Sequence, residues 1–204
     1  MRVAALYDVH AMPWALEAVL AEVDADEIVV GGDFVGGPYP EETLALVRSL
    51  DAIVIRGNAE EAHPWAATLP LAETVDGVTY CHATPAATTP ITTAATPDRA
   101  VVESFGTAGT FVIGHTHHQF DRRIGGLRVV NAGSVGMPYE GEVAAFWTLV
   151  EDGEPSFRRT AIDVELAVAR IRASDWPAGE EFIAENLLQA VSRREAIEHL
   201  EAQR

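Results

Sequence analysis

Three strand-length apolar runs, separated by helix-spaced segments, set the terms for the first sixty residues. Residues 3–7 form the first run, and residues 12–23 follow with apolar side chains at helical spacing (Trp14, Leu16, Val19, Leu20, Val23). Residues 27–30 are a second strand, 41–50 a second helix introduced by Pro40, and 52–55 a third strand. Parallel strands need a crossover long enough to hold a helix, so this alternation predicts βαβ units and a parallel sheet. It also predicts where chemistry sits, because open α/β sheets bind ligands beyond the carboxyl ends of their strands. Each of those ends is polar here: Asp8-Val9-His10, then Gly31-Gly32-Asp33, then Gly57-Asn58.

The middle of the chain changes character. Residues 74–80 read as a hairpin turning at Asp76-Gly77 and leading into Cys81-His82. Residues 83–97 contain only Ala, Thr and Pro apart from Ile91, which suits either a flexible surface loop or a lid beside His82. Thr96 and Pro97 read as the cap and first residue of a helix through Phe105. A strand over 110–113 feeds Gly114-His115-Thr116-His117, and a hairpin at Gly125-Gly126 leads through 127–130 into Asn131-Ala132-Gly133-Ser134-Val135-Gly136. A third hairpin joins 143–150 to 156–162, and the pattern is helical from Asp163 onward. No repeat or linker divides the chain, so one domain over 1–204 is expected: a core (1–150), closing strands and helices (151–190), and a charged, solvated or partner-facing C-terminal helix (191–204).

Composition excludes several classes of function. With 48% apolar residues the chain can build a substantial core, and its net charge is −17. All 14 basic residues are arginine. An acidic surface repels long nucleic acids and anionic membranes, so neither is expected as a partner. A small phosphate-containing substrate stays open, provided a local feature attracts it. The single cysteine, Cys81, precludes a disulfide framework, and Asp8 interrupts the N-terminal run before a signal sequence can form. A cytoplasmic protein is expected, with the C-terminal helix offering a surface for a homo-oligomer.

Seven strand-end or loop residues carry the chemistry: Asp8, His10, Asp33, Asn58, His82, His115 and His117. Taken singly, an Asp after a strand is usually a cap and a lone His usually a hydrogen-bonded residue. As a set, the pairs Asp8-x-His10 and His115-x-His117 put two ligand types on each of two tight turns. Mixed imidazole, carboxylate and amide ligands suit Mn, Fe, Zn or Ni rather than a thiolate zinc site. The order D-x-H, G-G-D, G-N, a lone His and G-H-x-H resembles the signature of calcineurin-like metallophosphoesterases. Arg56-Gly57-Asn58 and Asn131 to Gly136 resemble stretches of the small bacterial phosphodiesterase-like branch of that family. The similarity spans residues 2–150 and, loosely, 151–190.

The resemblance implies an α/β fold, a four-layer αββα sandwich of two mixed β-sheets flanked by helices. It implies two divalent metal ions (Mn, Fe, Zn or Ni, with Mn favoured). Asp8, His10 and His117 would hold one; Asn58, His82 and His115 would hold the other; Asp33 would bridge them. The implied activity is hydrolysis of small phosphodiesters or phosphate esters by direct attack of a metal-bridging hydroxide. A phosphomonoesterase (a protein phosphatase or dinucleotide polyphosphate hydrolase) and a non-catalytic binding scaffold are the alternatives. Around the ligands, Arg56 would bind phosphate or pair with a carboxylate, and Glu60 would orient a ligand or open a helix. Asn131, Gly133 and Ser134 would offer N–H groups to phosphate or simply pack a tight loop, and Gly31, Gly32, Gly57 and Gly114 would let the backbone turn. Many relatives follow the Asn with a His that protonates the leaving group, but here the sequence reads Gly57-Asn58-Ala59-Glu60. His63 and His118 are either substitutes for that acid or ordinary histidines. Phe34, Tyr39, Trp65 and Tyr139 either stack on a substrate or pack in the protein.

Overall fold

In the computed structural model, which describes residues 1–204, the alternation of side chains from strand β1 (Arg2–Leu6) decides the layering. Val3, Ala5 and Tyr7 enter one apolar cluster with Val78, Tyr80, Val112 and Val130. Ala4 and Leu6 enter another with Leu16, Val47 and Ile171. A strand buried on both faces needs a layer on each side of it.

Those layers are a second sheet and a set of helices. The first sheet has the order β10 (Glu154–Thr160), β9 (Ala145–Glu151), β1, β2 (Glu27–Val30), β3 (Ile53–Val54). Strands β1 to β3 run parallel, and β9 and β10 add antiparallel pairings. The second sheet has the order β4 (Ala72–Val75), β5 (Val78–Cys81), β6 (Ala108–Ile113), β8 (Gly126–Asn131), β7 (Phe120–Ile124). Its centre, β5, β6 and β8, is parallel and its edges are antiparallel. Helices α1 (Pro13–Leu20), α2 (Pro40–Ser49), α4 (Val164–Ala173) and α5 (Gly179–Phe182) supply residues to the cluster on the outer face of the first sheet. On the far side, α3 (Asp98–Phe105) sets Val101 and Phe105 against Cys81, Ile113 and Val129. The result is the expected αββα sandwich of two mixed sheets. No helix is long and apolar enough to cross a membrane.

Three local readings change. Strand β3 is two residues long rather than four. Helix α3 starts at Asp98, because Pro97 keeps an extended ψ of 137° and occupies the cap position. The segment 83–97 is an irregular loop, exposed at Ala86, Thr89, Ala94, Ala95 and Pro97, but it is pinned rather than free: Thr84, Thr88, Thr92, Thr93 and Thr96 are all buried. Buried hydroxyls need partners, and the last helix supplies some. Ser192 caps α6 (Arg193–Glu201) in a reciprocal box with Glu195. At the other end of α6, Glu201 accepts bonds from Thr93 Oγ1 at 2.6 Å and Thr96 Oγ1 at 2.5 Å. Residues 192–204 are therefore docked on the threonine segment rather than purely solvated.

Between the sheets two tyrosines differ in one respect. The Tyr7 hydroxyl donates to the Val112 carbonyl at 2.9 Å, joining the end of β1 to β6, whereas the Tyr80 hydroxyl is buried with no partner. Removing a satisfied buried hydroxyl costs about 1 kcal/mol, and removing an unsatisfied one costs little or relieves a penalty. Thermal unfolding should therefore show Tyr7→Phe melting about 2–4 °C lower and Tyr80→Phe unchanged or higher. Equal losses in both would contradict this pairing between the sheets.

Candidate metal centre

The carboxyl ends of β1, β2, β3, β5 and β6 lead into Asp8, Asp33, Asn58, His82 and His115, respectively. Asp8, His10 and His117 bring their ligand atoms within 4.8 Å of one another, and so do Asp33, His82 and His115. Asn58 Oδ1 lies 3.2 Å from His82 Nε2, adding an amide oxygen to the second group. His82 links the two groups, with Nε2 3.5 Å from Asp33 Oδ1 and Nδ1 3.9 Å from Asp8 Oδ1. All seven residues singled out from the sequence thus converge.

Backbone carbonyls fix how the four imidazoles point. The Nδ1 atoms of His10, His82 and His117 face the carbonyls of Gly36 (3.1 Å), Gly31 (3.0 Å) and Met137 (2.8 Å). His115 is turned the other way, with Nε2 facing the Thr89 carbonyl at 3.2 Å. A carbonyl only accepts, so the nitrogen facing it carries the hydrogen and the other is left as a lone pair. Those lone pairs meet other acceptors: His10 Nε2 and His117 Nε2 are 3.1 Å apart, and His117 Nε2 is 3.4 Å from Asp8 Oδ1. Asp8 Oδ1 is buried and has no hydrogen-bond partner. Acceptors converging with no donor among them form an electrostatic demand for a cation. A set of carboxylate, imidazole and amide donors, each imidazole backed by a carbonyl, fits a divalent transition ion.

Charge states agree with that role. Burial pushes the His115 imidazole down to about 4, so its lone pair is free at neutral pH. Burial and the neighbouring His117 lower His10 as well. Burial works against the charge of Asp8; protonated His117 and His82 rings would outweigh it and hold the carboxyl below its ordinary range, the part a bound cation would play beside neutral rings. Asp33 follows the same balance, helped by His82, His10 and the Ala59 N–H, which donates to Oδ1 at 2.8 Å.

The backbone delivers these side chains through unusual turns. Asp8, His10, Asp33, His115 and His117 all have φ between 49° and 65°, a left-handed conformation that residues with a Cβ seldom adopt. Of the glycines expected to turn the backbone, Gly32 does so at φ 93°, whereas Gly57 and Gly114 serve another purpose. At Gly57 a Cβ would lie 2.2 Å from Asp33 Oδ1, and at Gly114 one would lie 2.4 Å from Asp8 Oδ2. Neither glycine has a positive φ, so they provide clearance while the ligands themselves make the turn.

Buried polar side chains hold the turns in place. Glu60 accepts bonds from the backbone N–H groups of Asp33, Phe34, Val35 and Gly57, at 2.7 to 3.2 Å. It thereby orients the Asp33 turn and ties it to the strand-end turn that bears Asn58. Asn131 donates to the Gly114 carbonyl and to Thr116 Oγ1 while accepting from the Gly133 N–H. Ser134 Oγ donates to the Asp8 carbonyl and accepts from the Met137 N–H. The N–H groups of Ala132, Gly133, Val135 and Gly136 are bonded inside the protein, so this loop packs against and braces the neighbouring turns.

Other candidates stand elsewhere. The Arg56 guanidinium donates to the Ala67 carbonyl at 2.9 Å and makes no ion pair, so the expected carboxylate partner is replaced by backbone. His63 Nδ1 accepts from the Ala66 N–H, a local cap. His118 is buried, with Nδ1 on the Thr116 carbonyl and Nε2 on the Ala94 N–H. Both of its nitrogens are bonded within the protein. Phe34 is in the core, Tyr39 packs on Trp14, and Trp65 packs on Phe34. Tyr139 alone reaches the centre, stacked on His117 with ring centroids 4.8 Å apart. The carbonyls of Gly31, Gly36, Thr89 and Met137 had no signal in the sequence, because any residue supplies a carbonyl.

Comparison with known proteins places this geometry in a family. The model of the calcineurin-like phosphoesterase superfamily domain matches residues 1–153. Among solved structures, a metallophosphoesterase from Sphaerobacter thermophilus is 25% identical with a TM-score of 0.78, over 94% of this chain and 100% of that one. A hypothetical protein from Pyrococcus horikoshii OT3 is 18% identical with a TM-score of 0.75, over 94% and 99%. Yfce, a phosphoesterase from E. coli, is 20% identical with a TM-score of 0.52, over 80% and 100%. No curated protein matches the chain.

The unpartnered Asp8 oxygen generates a prediction of unusual sign. An amide at position 8 tolerates the left-handed backbone and can donate to His117 Nε2, removing an acceptor–acceptor contact. Asp8→Asn should therefore raise the melting temperature of the metal-free protein by a few degrees, for about 1 kcal/mol gained. It should also abolish the further rise that added Mn²⁺ gives the wild type. A lower melting temperature in the absence of metal would show that Asp8 serves the fold rather than an ion.

Proposed function

The chain belongs to the calcineurin-like phosphoesterase superfamily, and from that premise we propose that it is a metal-dependent hydrolase of small phosphodiesters or phosphate esters. The observation that carries this reading is that four carbonyl-backed imidazoles gather on two carboxylates, His10 and His117 with the unpartnered Asp8 oxygen and His82 and His115 with Asp33. Asp8, His10 and His117 hold one divalent ion in this reading, Asn58, His82 and His115 hold the second, and Asp33 stands between. Two such ions, with Mn favoured, supply Lewis acidity and a water acidic enough to react near neutral pH.

The chain's own residues do the rest. The Glu60 carboxylate keeps the Asp33 turn from relaxing, so the Asp33 carboxylate that would be shared by the ions stays aimed. Asn131 and Ser134 hold the ends of the His115–His117 and Asp8 turns. In a protein of net charge −17 with no lysine, a loaded centre is the main attraction for an anion, which favours a small ester over a polymer laid along a face. Complete retention of ligating side chains favours an enzyme over a scaffold.

Proton donation to the leaving group is the step for which these residues offer least. Ala59 follows Asn58, His63 is a local cap, and His118 has both nitrogens bonded. A positioned acid is typically worth about 10²–10⁴ in rate, so its absence is felt most when the leaving alkoxide is basic. Across a series of diesters running from p-nitrophenyl through phenyl to alkyl leaving groups, turnover should fall steeply with leaving-group pKa. A flat profile would demand a proton donor and overturn this part of the reading.

The activity itself is tested with Mn²⁺-supplemented protein on bis-p-nitrophenyl phosphate and p-nitrophenyl phosphate. The diester should be hydrolysed faster, and Asp33→Asn should lose activity on both while keeping the wild-type circular dichroism spectrum. Faster monoester turnover would move the assignment to a phosphomonoesterase. No turnover of either, with fewer than two ions bound per chain, would favour a binding scaffold.

A further inference from the structure

The C-terminal helix α6 lies beyond the residues that the superfamily model matches, yet a chain of hydrogen bonds leads from it to the second ligand group. Glu201 Oε1 takes both threonine hydroxyls, Thr93 at 2.6 Å and Thr96 at 2.5 Å. Arg122 grips the same stretch by donating to the Thr93 and Thr96 carbonyls. The inner edge of the segment meets the His115–His118 turn at three points. Thr89 O accepts from His115 Nε2, Thr92 O accepts from Thr116 Oγ1 at 3.0 Å, and the Ala94 N–H donates to His118 Nε2 at 3.3 Å.

His115 differs from the other three imidazoles in its dependence on this segment. His10, His82 and His117 are oriented by carbonyls of Gly36, Gly31 and Met137, which belong to the strand-end loops of the site. His115 takes its orientation from Thr89, in a stretch whose one large apolar side chain is Ile91. A segment without apolar anchors is held by polar pins or not at all. Glu201 is such a pin. Burial works against its charge, but the two threonine hydroxyls together with Arg204, 3.2 Å from the other carboxylate oxygen, outweigh it and hold its carboxyl below the ordinary range.

We propose that Glu201 is a positioning residue for the second metal site, holding residues 89–96 so that the Thr89 carbonyl keeps His115 Nδ1 turned toward Asp33, Asn58 and His82. The proposal rests on the metal reading above for its consequence, but not for the ring orientation, which exists without an ion.

Two measurements test it. In metal-free protein, long-range ¹H–¹⁵N spectra should show the His115 ring as a single Nε2–H tautomer, and Glu201→Ala should give a mixture. In calorimetric titrations with Mn²⁺, loss of an orienting partner typically weakens a site by about 10–100-fold. Glu201→Ala should therefore weaken the second equivalent by that order and leave the first nearly unchanged. Glu201→Gln keeps a carbonyl oxygen able to accept both hydroxyls and should restore the single tautomer and most of the affinity. Thr93→Val, which removes one of the two hydroxyls, should give an intermediate tautomer mixture, and it serves if Glu201→Ala fails to fold. An unchanged tautomer in Glu201→Ala, or in Thr93→Val where the first does not fold, would overturn the proposal. Wild-type protein that binds no Mn²⁺ would sink the metal reading, while the tautomer spectra would still decide the clamp.

Discussion

The left-handed backbone at Asp8, His10, Asp33, His115 and His117 is the constraint on which the centre is built. A residue with a Cβ in such a conformation costs roughly 1 kcal/mol or more, and a domain is stable by only about 5–15 kcal/mol in total. Five such residues, on three turns, persist because buried acceptors and donors leave the backbone no alternative partner. Glu60 is the clearest case, since letting the Asp33 turn relax would strand four N–H groups beside a buried carboxylate. Local conformational strain is thus matched by concentrated hydrogen bonding a few ångströms away.

The same turns explain the layering. Each sheet contains three parallel strands, β1 to β3 in the first and β5, β6 and β8 in the second, and the carboxyl ends of parallel strands all open on one edge. With two sheets face to face, β1, β2 and β3 deliver Asp8, Asp33 and Asn58 against His82 and His115 from β5 and β6. The apolar cluster of Val3, Ala5, Tyr7, Val112 and Val130 between the sheets sets the separation at which those two rows of ligands can meet. Core packing and ligand geometry are for this reason a single problem in this protein.

Much of this was legible in the sequence where a side chain carries the information. Asp8-x-His10 and His115-x-His117 announced themselves by residue type, and the βαβ alternation told which end of the sheet they occupy. The sandwich was legible through resemblance. What stayed hidden was supplied by the main chain: the carbonyls that orient four imidazoles, and the N–H groups that gather on Glu60. Composition read residues 83–97 as a loop, which they are, but gave no sign that five of the threonines are buried. Their burial depends on Glu201 and Arg122, more than a hundred and about thirty residues away, respectively. The loop of Asn131 to Gly136 offered two readings, and the internal bonds of four of its N–H groups, which no side chain announces, are what brace the turns.

Cys81 lies one residue before His82, beneath α3, with its thiol buried and pushed up to about 12. A thiol in that state neither ionises nor meets a reagent until the second sheet parts from its helix. The single cysteine is therefore a built-in clock for that opening, and the rate at which it is alkylated measures how often the layer breathes. Because the next residue is a ligand, an ion that ties His82 to Asp33 should slow the clock, making occupancy of the centre readable as the protection of one sulfur atom.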